Sequence, residues 1–165
     1  MKVKKLALVA GLVGAALSLT GATQAAATPT VGHFQTSGQF VADDLSAACG
    51  ATVTIAYADT GTYQVFFDQQ GNQTRVQVED RSHSTLSANG ITLDGYGSYN
   101  TVYDLTNGTS TETGLDVRFS LPHGGVVVIE VGRSISDANG NIVFLAGKNP
   151  LLEGDFNALC AALTP

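Results

Sequence analysis

The fold is decided by the stretch Gly124-Gly125-Val126-Val127-Val128-Ile129-Glu130-Val131-Gly132-Arg133. It is the longest apolar run outside the N-terminus, and the four residues before Glu130 are all branched at Cβ. Branching at Cβ favours a pleated strand over a helix because it restricts the side-chain rotamers. A short apolar run bounded by glycines is typical of a strand in a sheet. We therefore predict a strand here that is buried on at least one face.

Turn signals rich in Asn and Gly recur on both sides of this strand, separated by intervals from the mid-teens to about twenty residues. They lie at residues 69–72, 88–90, 106–108, 122–125 and 137–141. Apolar and polar residues alternate between the turns, most clearly at 75–79 and 115–121, and no helical period is present there. Consecutive long hairpins without helical crossovers predict an antiparallel meander.

A meander of about eight strands has two edges that need protection, and closure into an up-and-down barrel removes both. We therefore predict an all-β fold, an antiparallel meander that closes into a barrel of roughly eight strands, with a β-sandwich as the alternative. Only the C-terminus has a clear helical pattern, which predicts one helix over residues 155–163. Its apolar face would carry Phe156, Leu159, Cys160 and Leu163. Residues 43–49 are ambiguous and compatible with one helical turn.

The N-terminus has the pattern of a secretory signal peptide. Lys2, Lys4 and Lys5 precede an apolar segment of 14 residues, and residues 25–27 offer a small-residue cleavage site. That segment is shorter than the roughly 20 residues of a membrane-spanning helix. We predict a signal peptide over residues 1–27, a single β domain over 28–165, and secretion to the cell exterior.

The composition argues against two classes of partner. The chain has 14 acidic and eight basic residues, and removal of residues 1–27 takes three of the basic ones and none of the acidic ones. The remaining domain has a net charge of −9. Five scattered basic residues on so acidic a domain do not suit nucleic acid or an anionic membrane, so we expect neither as a partner.

Cys49 and Cys160 are the two cysteines of the chain. In an exported protein an even number suggests a disulfide, and only one pairing is possible within a monomer. The bond would press the C-terminal helix against the sheet. Two free thiols or an intermolecular bond are the alternatives.

Four segments of the chain, taken in their order along the sequence, resemble segments of other proteins. They are Cys49-Gly50 before a strand, the stretch from Gly124 to Arg133, Phe144-Leu145-Ala146-Gly147, and residues 155–163. Together they resemble uncharacterised small secreted proteins of actinobacteria, over most of the chain after residue 27. The resemblance implies export and supports the disulfide, and none of the four segments is a catalytic motif.

Common catalytic and nucleotide-binding motifs are absent from the sequence, among them Gly-x-Ser-x-Gly, His-Glu-x-x-His and the P-loop. His33, His83 and His123 do not have the spacing of a metal site. Residues 137–141 resemble the start of a calcium loop, but the acid expected at its twelfth position falls on Lys148. A hairpin turn accounts for them better. We therefore expect no metal and no cofactor.

Glu130 interrupts the apolar run and is the sharpest candidate for a site. If the hairpin loop before it has two or four residues, Val117 opposes Glu130 and the carboxylate points to the apolar face. Burial would then raise its pKa unless a partner compensates. If the loop has three residues, Arg118 opposes Glu130 as an exposed ion pair. We favour the exposed pair because unpaired buried carboxylates are rare.

Tyr99 and Tyr103 would lie on one face of a strand with Thr101. Their rings are candidates for an aromatic wall that binds a sugar or an apolar ligand, although ordinary core packing is the reading that we favour. The candidate ligand-binding residues are thus Glu130, Arg118, Tyr99 and Tyr103, and no residue is assigned a catalytic role.

The architecture suggests three functions, of which the first leads. It is a secreted β-barrel that binds a small apolar or amphipathic molecule in the barrel mouth. The second is a barrel enzyme of the cyclase or isomerase type that uses interior polar groups. The third is an extracellular interaction protein whose barrel is fully packed.

Overall fold

The computed structural model describes residues 28–165, so the predicted signal peptide lies outside the described residues. Within them, seven strands and two short helices follow one another along the chain. They are β1 (Thr30–Val41), α1 (Asp43–Cys49), β2 (Thr54–Phe67), β3 (Gln73–Ala88), β4 (Ile91–Asp104), β5 (Thr109–Ser120), β6 (Val126–Ser136), β7 (Ile142–Lys148) and α2 (Asn157–Ala162). The predicted β-rich chain with a C-terminal helix is confirmed, although α2 is shorter than predicted. No helix of residues 28–165 has the length and apolarity needed to cross a membrane.

The seven strands form one sheet in sequence order, and each pairs antiparallel with its neighbours, as the predicted meander requires. Asn89 and Gly90 alone join β3 to β4, and both have positive φ, 52° and 79°, as a two-residue hairpin of this kind requires. Asp68 and Asp137 each begin a turn in which their carboxylates accept bonds from the backbone N–H groups two and four residues ahead. Residues 137–141 are therefore a hairpin turn.

The predicted barrel is wrong, because the sheet is not closed. β1 pairs with β2 and β7 with β6, and the first and last described strands do not pair with each other. In a meander of seven strands β1 and β7 run in the same direction, so closure would need a parallel ladder, which is slightly less stable than an antiparallel one. The sheet therefore keeps two free edges.

The two faces of the sheet differ in burial. The inner face carries Leu86 and Phe119, which are buried, and the outer face carries His83 and Arg118, which are exposed. Successive side chains of a strand point to opposite faces, so the register assigns every strand residue to one of them. On β1 the inner residues are half-buried and the outer residues are exposed throughout, except that Thr30 is exposed on the inner side.

The hydrophobic core lies at one end of the inner face, which we call the helix end, where β3 turns into β4. Its buried residues are Leu45, Val53, Leu86, Ala88, Leu93, Phe119, Val128, Leu159 and Leu163. There α2 packs against β6 and α1. Cys49 and Cys160 form the predicted disulfide between the two helices, with their Cα atoms 4.9 Å apart and a sequence separation of 111. Such a bond indicates a non-reducing environment. We call the opposite end, where β2 turns into β3, the far end.

Candidate binding surface and buried polar cluster

Glu130 lies on the inner face. Val117 is its partner across the ladder, and the Glu130 side chain is only 1% exposed. The exposed ion pair with Arg118, which the sequence analysis favoured, is wrong, because Arg118 pairs with Ile129 and lies on the outer face. Strand β6, which begins at Val126, is thus buried on its inner face only.

A β-bulge at the start of β6 sets this register. Ser120 pairs with Val126, so the connecting loop has five residues, and such an odd number would turn Glu130 outward. Phe119 pairs with Val128 rather than with Val127, so one extra residue stands in β6 at this point. The extra residue reverses the alternation once more and returns Glu130 to the inner face.

The carboxylate of Glu130 fastens the segment that follows β7. The backbone N–H of Leu152 donates a hydrogen bond of 3.0 Å to Glu130 Oε1. Leu152 lies in the loop of residues 149–156, which joins β7 to α2. A buried carboxylate is costly unless hydrogen bonds replace its lost hydration, and this loop supplies one of them. Glu130 therefore helps to hold the loop, and α2 behind it, in place.

Four polar side chains form two hydrogen-bonded pairs on the inner face between the core and the far end, and we call them the inner cluster. The Tyr99 hydroxyl donates to Asp80 Oδ2 at 3.3 Å, and the Ser82 hydroxyl donates to Asp59 Oδ1 at 2.6 Å. Asp80 is 8% exposed, and its Oδ1 has no hydrogen-bond partner among the described residues. Burial, and then the charge of Asp59, raise the pKa of Asp80 to about 6. Burial also raises the pKa of Tyr99, with the Asp80 charge adding to it.

Sequence reasoning did not single out Asp59 or Asp80, although a signal for each was available. Residues 75–79 alternate strictly, with Val76 and Val78 on the apolar positions. The same period places Asp80 on the apolar face, next in the series. The alternation of Val53, Ile55 and Tyr57 places Asp59 on an apolar face in the same way.

Tyr99 and Tyr103 share the inner face, as the alternation predicted. Burial raises the pKa of Tyr103, with further contributions from Glu112 and Asp80. Arg118 lies on the outer face, and Glu130 is covered by the loop before α2. The structure therefore does not bring the four candidate ligand-binding residues together in one site.

The outer face carries two shallow grooves that cross the strands at right angles. We call the first the His33 groove; it has a volume of about 940 Å³. One wall consists of His33, Thr62, Glu79, Asn100 and Thr113, and the other of Gln35, Thr60, Arg81 and Ser98. Each wall is a row of residues that face one another across neighbouring strands. The backbone of the residues between the two rows forms the floor.

The second groove, the Tyr96 groove, has a volume of about 890 Å³. One wall consists of Ala58, His83, Tyr96 and Arg118, and the other of Ala56, Thr85, Asp94 and Ser120. The rings of His83 and Tyr96 contact each other edge to face, with centroids 5.4 Å apart. This groove therefore offers aromatic surface beside both a carboxylate and a guanidinium group.

No group of three or more His, Cys, Asp or Glu side chains in residues 28–165 is arranged to hold a metal ion. Comparison of the chain with protein-family models, with curated proteins and with solved structures finds no match. A function is therefore inferred from the side chains of the two grooves and of the inner cluster.

Proposed function

We propose that this protein is a secreted binding module that holds an extended carbohydrate on the outer face of its sheet. The observation that carries the proposal is the pair of parallel grooves. The walls of the His33 groove are polar side chains, and the walls of the Tyr96 groove combine polar side chains with Ala56 and Ala58. Export is part of the proposal, and it is supported by the pattern of residues 1–27, by the resemblance to secreted actinobacterial proteins and by the Cys49–Cys160 bond.

The shape of the grooves favours a long ligand over a compact one. A small apolar molecule binds best where a pocket encloses most of its surface. Because the sheet is open, it has no barrel mouth to provide such a pocket. The His33 groove instead crosses from β1 to β5, a length of about 19 Å at the usual strand spacing. An oligomer lying across the strands would contact all five of them.

The chemistry of the walls favours a ligand with many hydroxyl groups. Both grooves include hydroxyl, carboxylate and guanidinium groups, and the His33 groove adds the carboxamides of Gln35 and Asn100. These groups donate and accept hydrogen bonds in close succession. Tyr96 adds an exposed apolar ring, on which the C–H face of a sugar can rest. The excess of acidic residues argues against a polyanion.

Isothermal titration calorimetry with cellohexaose, chitohexaose and xylohexaose tests the proposal. We expect at least one of these neutral hexasaccharides to bind, and to bind more tightly than its disaccharide, since the shorter ligand contacts fewer strands. If none of the three binds at millimolar concentration, the proposal is wrong.

The variant Tyr96→Ala, with Phe144→Ala as its matched control, locates the ligand. Both rings belong to the outer face and are similarly exposed, 41% for Tyr96 and 44% for Phe144, but Phe144 lies outside the grooves, on β7. We expect Tyr96→Ala to weaken binding at least tenfold, about 1.4 kcal/mol, and Phe144→Ala to leave it unchanged. Equal binding by both variants would contradict a ligand in the Tyr96 groove.

A further inference from the structure

The free edge at β1 lacks the features that protect the edge at β7. β1 has twelve residues, contains no Lys, Arg, Asp, Glu or Pro, and pairs with β2 without a register shift. β7 has only seven residues, includes Lys148, and shows a register shift against β6. Edge strands are normally protected from pairing by shortness, charge, proline or bulges. β1 is therefore a regular, uncharged template on which another strand can pair.

We propose that the strand that pairs there is β1 of a second copy of this chain. The two β1 strands run antiparallel about a two-fold axis at Thr36, and the two sheets join into one of fourteen strands. A self-complementary surface is the requirement for such an interface, because each residue must suit the residue that the symmetry places opposite it. The sequence of β1 meets this requirement on both faces.

Backbone geometry limits the registers that two identical strands can adopt. Along β1 the N–H and C=O groups of alternate residues point away from β2, and only these can bond to the second copy. Opposed residues must therefore be both even or both odd in number, which requires an axis at a residue and not between two residues. The axis at Thr36 pairs Val31 with Val41 of the second copy. An axis at Gln35 would oppose Val31 to Gln39.

The outer face favours the axis at Thr36. Val31 and Val41 are 59% and 49% exposed, although both are large apolar residues of a regular strand. In the proposed register they cover each other twice, once at each end of the interface. The other outer pairs, His33 with Gln39 and Gln35 with Ser37, are polar and carry no opposed like charges.

The inner face favours the same register, because it repeats a packing pattern of the monomer. The ring of Tyr63 lies over Gly32, that of Tyr57 lies over Gly38, and Phe34 packs against Gly61, so aromatic residues face glycines across these strands. With the axis at Thr36, Phe34 opposes Gly38 of the second copy and Phe40 opposes its Gly32. Each phenylalanine is thus opposed across the interface by a residue without a side chain, so no two bulky groups are set against each other.

Dimerisation also has a consequence for the grooves, and this part rests on the proposed function. The walls of the His33 groove begin on β1 at residues 33 and 35. The walls of the Tyr96 groove end on β2 at Ala58 and Ala56, whose partners on β1 are residues 37 and 39. Since residues 33 and 35 oppose residues 39 and 37 of the second copy, the His33 groove of one copy continues into the Tyr96 groove of the other. The dimer would present two grooves of about twice the length.

Sedimentation velocity of the protein recovered from culture medium tests the dimer, over a concentration series that reaches the millimolar range. We expect the mass of a dimer for the unaltered protein and for Val143→Lys, a control on the other edge strand. The double variant Val31→Lys/Val41→Lys opposes two lysines at each end and should be monomeric. Val31→Glu/Val41→Lys opposes unlike charges and should restore the dimer. A monomer at every concentration, or a dimer of the double lysine variant, overturns the proposal.

Cysteine cross-linking tests the register. Both native cysteines are in the disulfide, so Thr36→Cys introduces one free thiol, which the axis places opposite its own copy at the Cα spacing of a disulfide. In Gln39→Cys the two thiols would stand about 20 Å apart along the strands. We expect rapid oxidation to a covalent dimer for Thr36→Cys alone, and equal rates would overturn the register. Hexasaccharide binding by the monomeric double lysine variant is measured separately, so failure of the dimer and failure of carbohydrate binding are distinguishable.

Discussion

The two ends of the inner face are covered in different ways. At the helix end, α1, α2 and the disulfide form a second layer over the sheet, and Leu93 and Leu159 are almost completely buried beneath it. Towards the far end no helix lies over the described strands, and the buried residues are polar, among them Asp80, Thr101 and Ser136. A sheet needs a second layer to bury an apolar face, so the hydrophobic core is confined to the end that has one.

This difference indicates that stability is distributed unevenly. Apolar burial is the main favourable term in folding, and here it is concentrated where two short helices are tied together by one covalent bond. Hairpins at the far end depend mainly on their ladders and turns. We therefore expect substitutions at the helix end to change the free energy of unfolding far more than substitutions at the far end.

The largest effect is expected from removal of the disulfide with Cys49→Ala/Cys160→Ala. The bond closes a loop of 111 residues, for which chain entropy gives an upper value of about 4–5 kcal/mol. Equilibrium unfolding in urea should show this loss as a lower midpoint. A change below about 1 kcal/mol would contradict the view that the helix end carries most of the stability.

Glu130→Ala should have the next largest effect. It leaves the Leu152 N–H without its acceptor and creates a cavity at a site that is closed to solvent, which together cost about 3 kcal/mol. Glu130→Gln keeps an acceptor oxygen and serves as the matched control, with a smaller loss. Hydrogen exchange of the Leu152 amide should accelerate in Glu130→Ala, and unchanged protection would show that the carboxylate does not hold the loop.

Much of the framework was predictable from local signals. Strands and their antiparallel order follow from alternation and from turns such as Asn89-Gly90, and the disulfide follows from two cysteines in a chain that its N-terminal pattern predicts to be exported. Closure of the sheet was not predictable, because it depends on the number of strands. Asp59-Thr60-Gly61 has the composition of a turn or bulge but lies inside the single strand β2, so the sheet has seven strands and not about eight. The orientation of Glu130 required knowledge of a bulge at Val127, which no turn signal marks.

Asp80→Asn should stabilise the protein at neutral pH, which is unusual for a buried site. The folded-state pKa of about 6 lies above the ordinary value of 3.8, so the fold favours the protonated carboxyl. This contribution is fully present below pH 3.8 and is lost as the pH rises through 6, where ionisation destabilises the fold. The shift corresponds to at most about 3 kcal/mol.

Unfolding experiments from pH 4 to pH 8 measure this effect. We expect the stability of the unaltered protein to fall over this range relative to Asp80→Asn, with the gap opening mainly between pH 4 and pH 7. A constant difference between the two proteins would mean that Asp80 titrates at the same pH in the folded and unfolded states. A gap that closes as the pH rises would contradict the assigned direction of the pKa shift.

Only part of the candidate site could be predicted from the sequence. Alternation correctly placed Tyr99 and Tyr103 on one face, but a single strand does not reveal which face of a sheet stays open. The residues that line the outer grooves, such as Thr60, Arg81 and Asp94, are ordinary exposed strand residues in sequence. They become a surface only when the register aligns them across neighbouring strands, and register is set by turns and bulges rather than by residue type.

The smallest effect on the free energy of unfolding is expected for Val143→Thr. The same substitution at Val53 provides the comparison. Val53 belongs to the core at the helix end and is completely buried, whereas Val143 is on the exposed edge strand β7. The change replaces a methyl group by a hydroxyl group of similar size, so the difference between the two variants reports burial and not shape. A buried hydroxyl without a partner costs about 1–3 kcal/mol, and an exposed one costs less than about 0.5 kcal/mol. If chemical denaturation showed equal losses at both positions, the contrast between the covered end and the open edge would not hold, because stability would then be shared by the whole sheet.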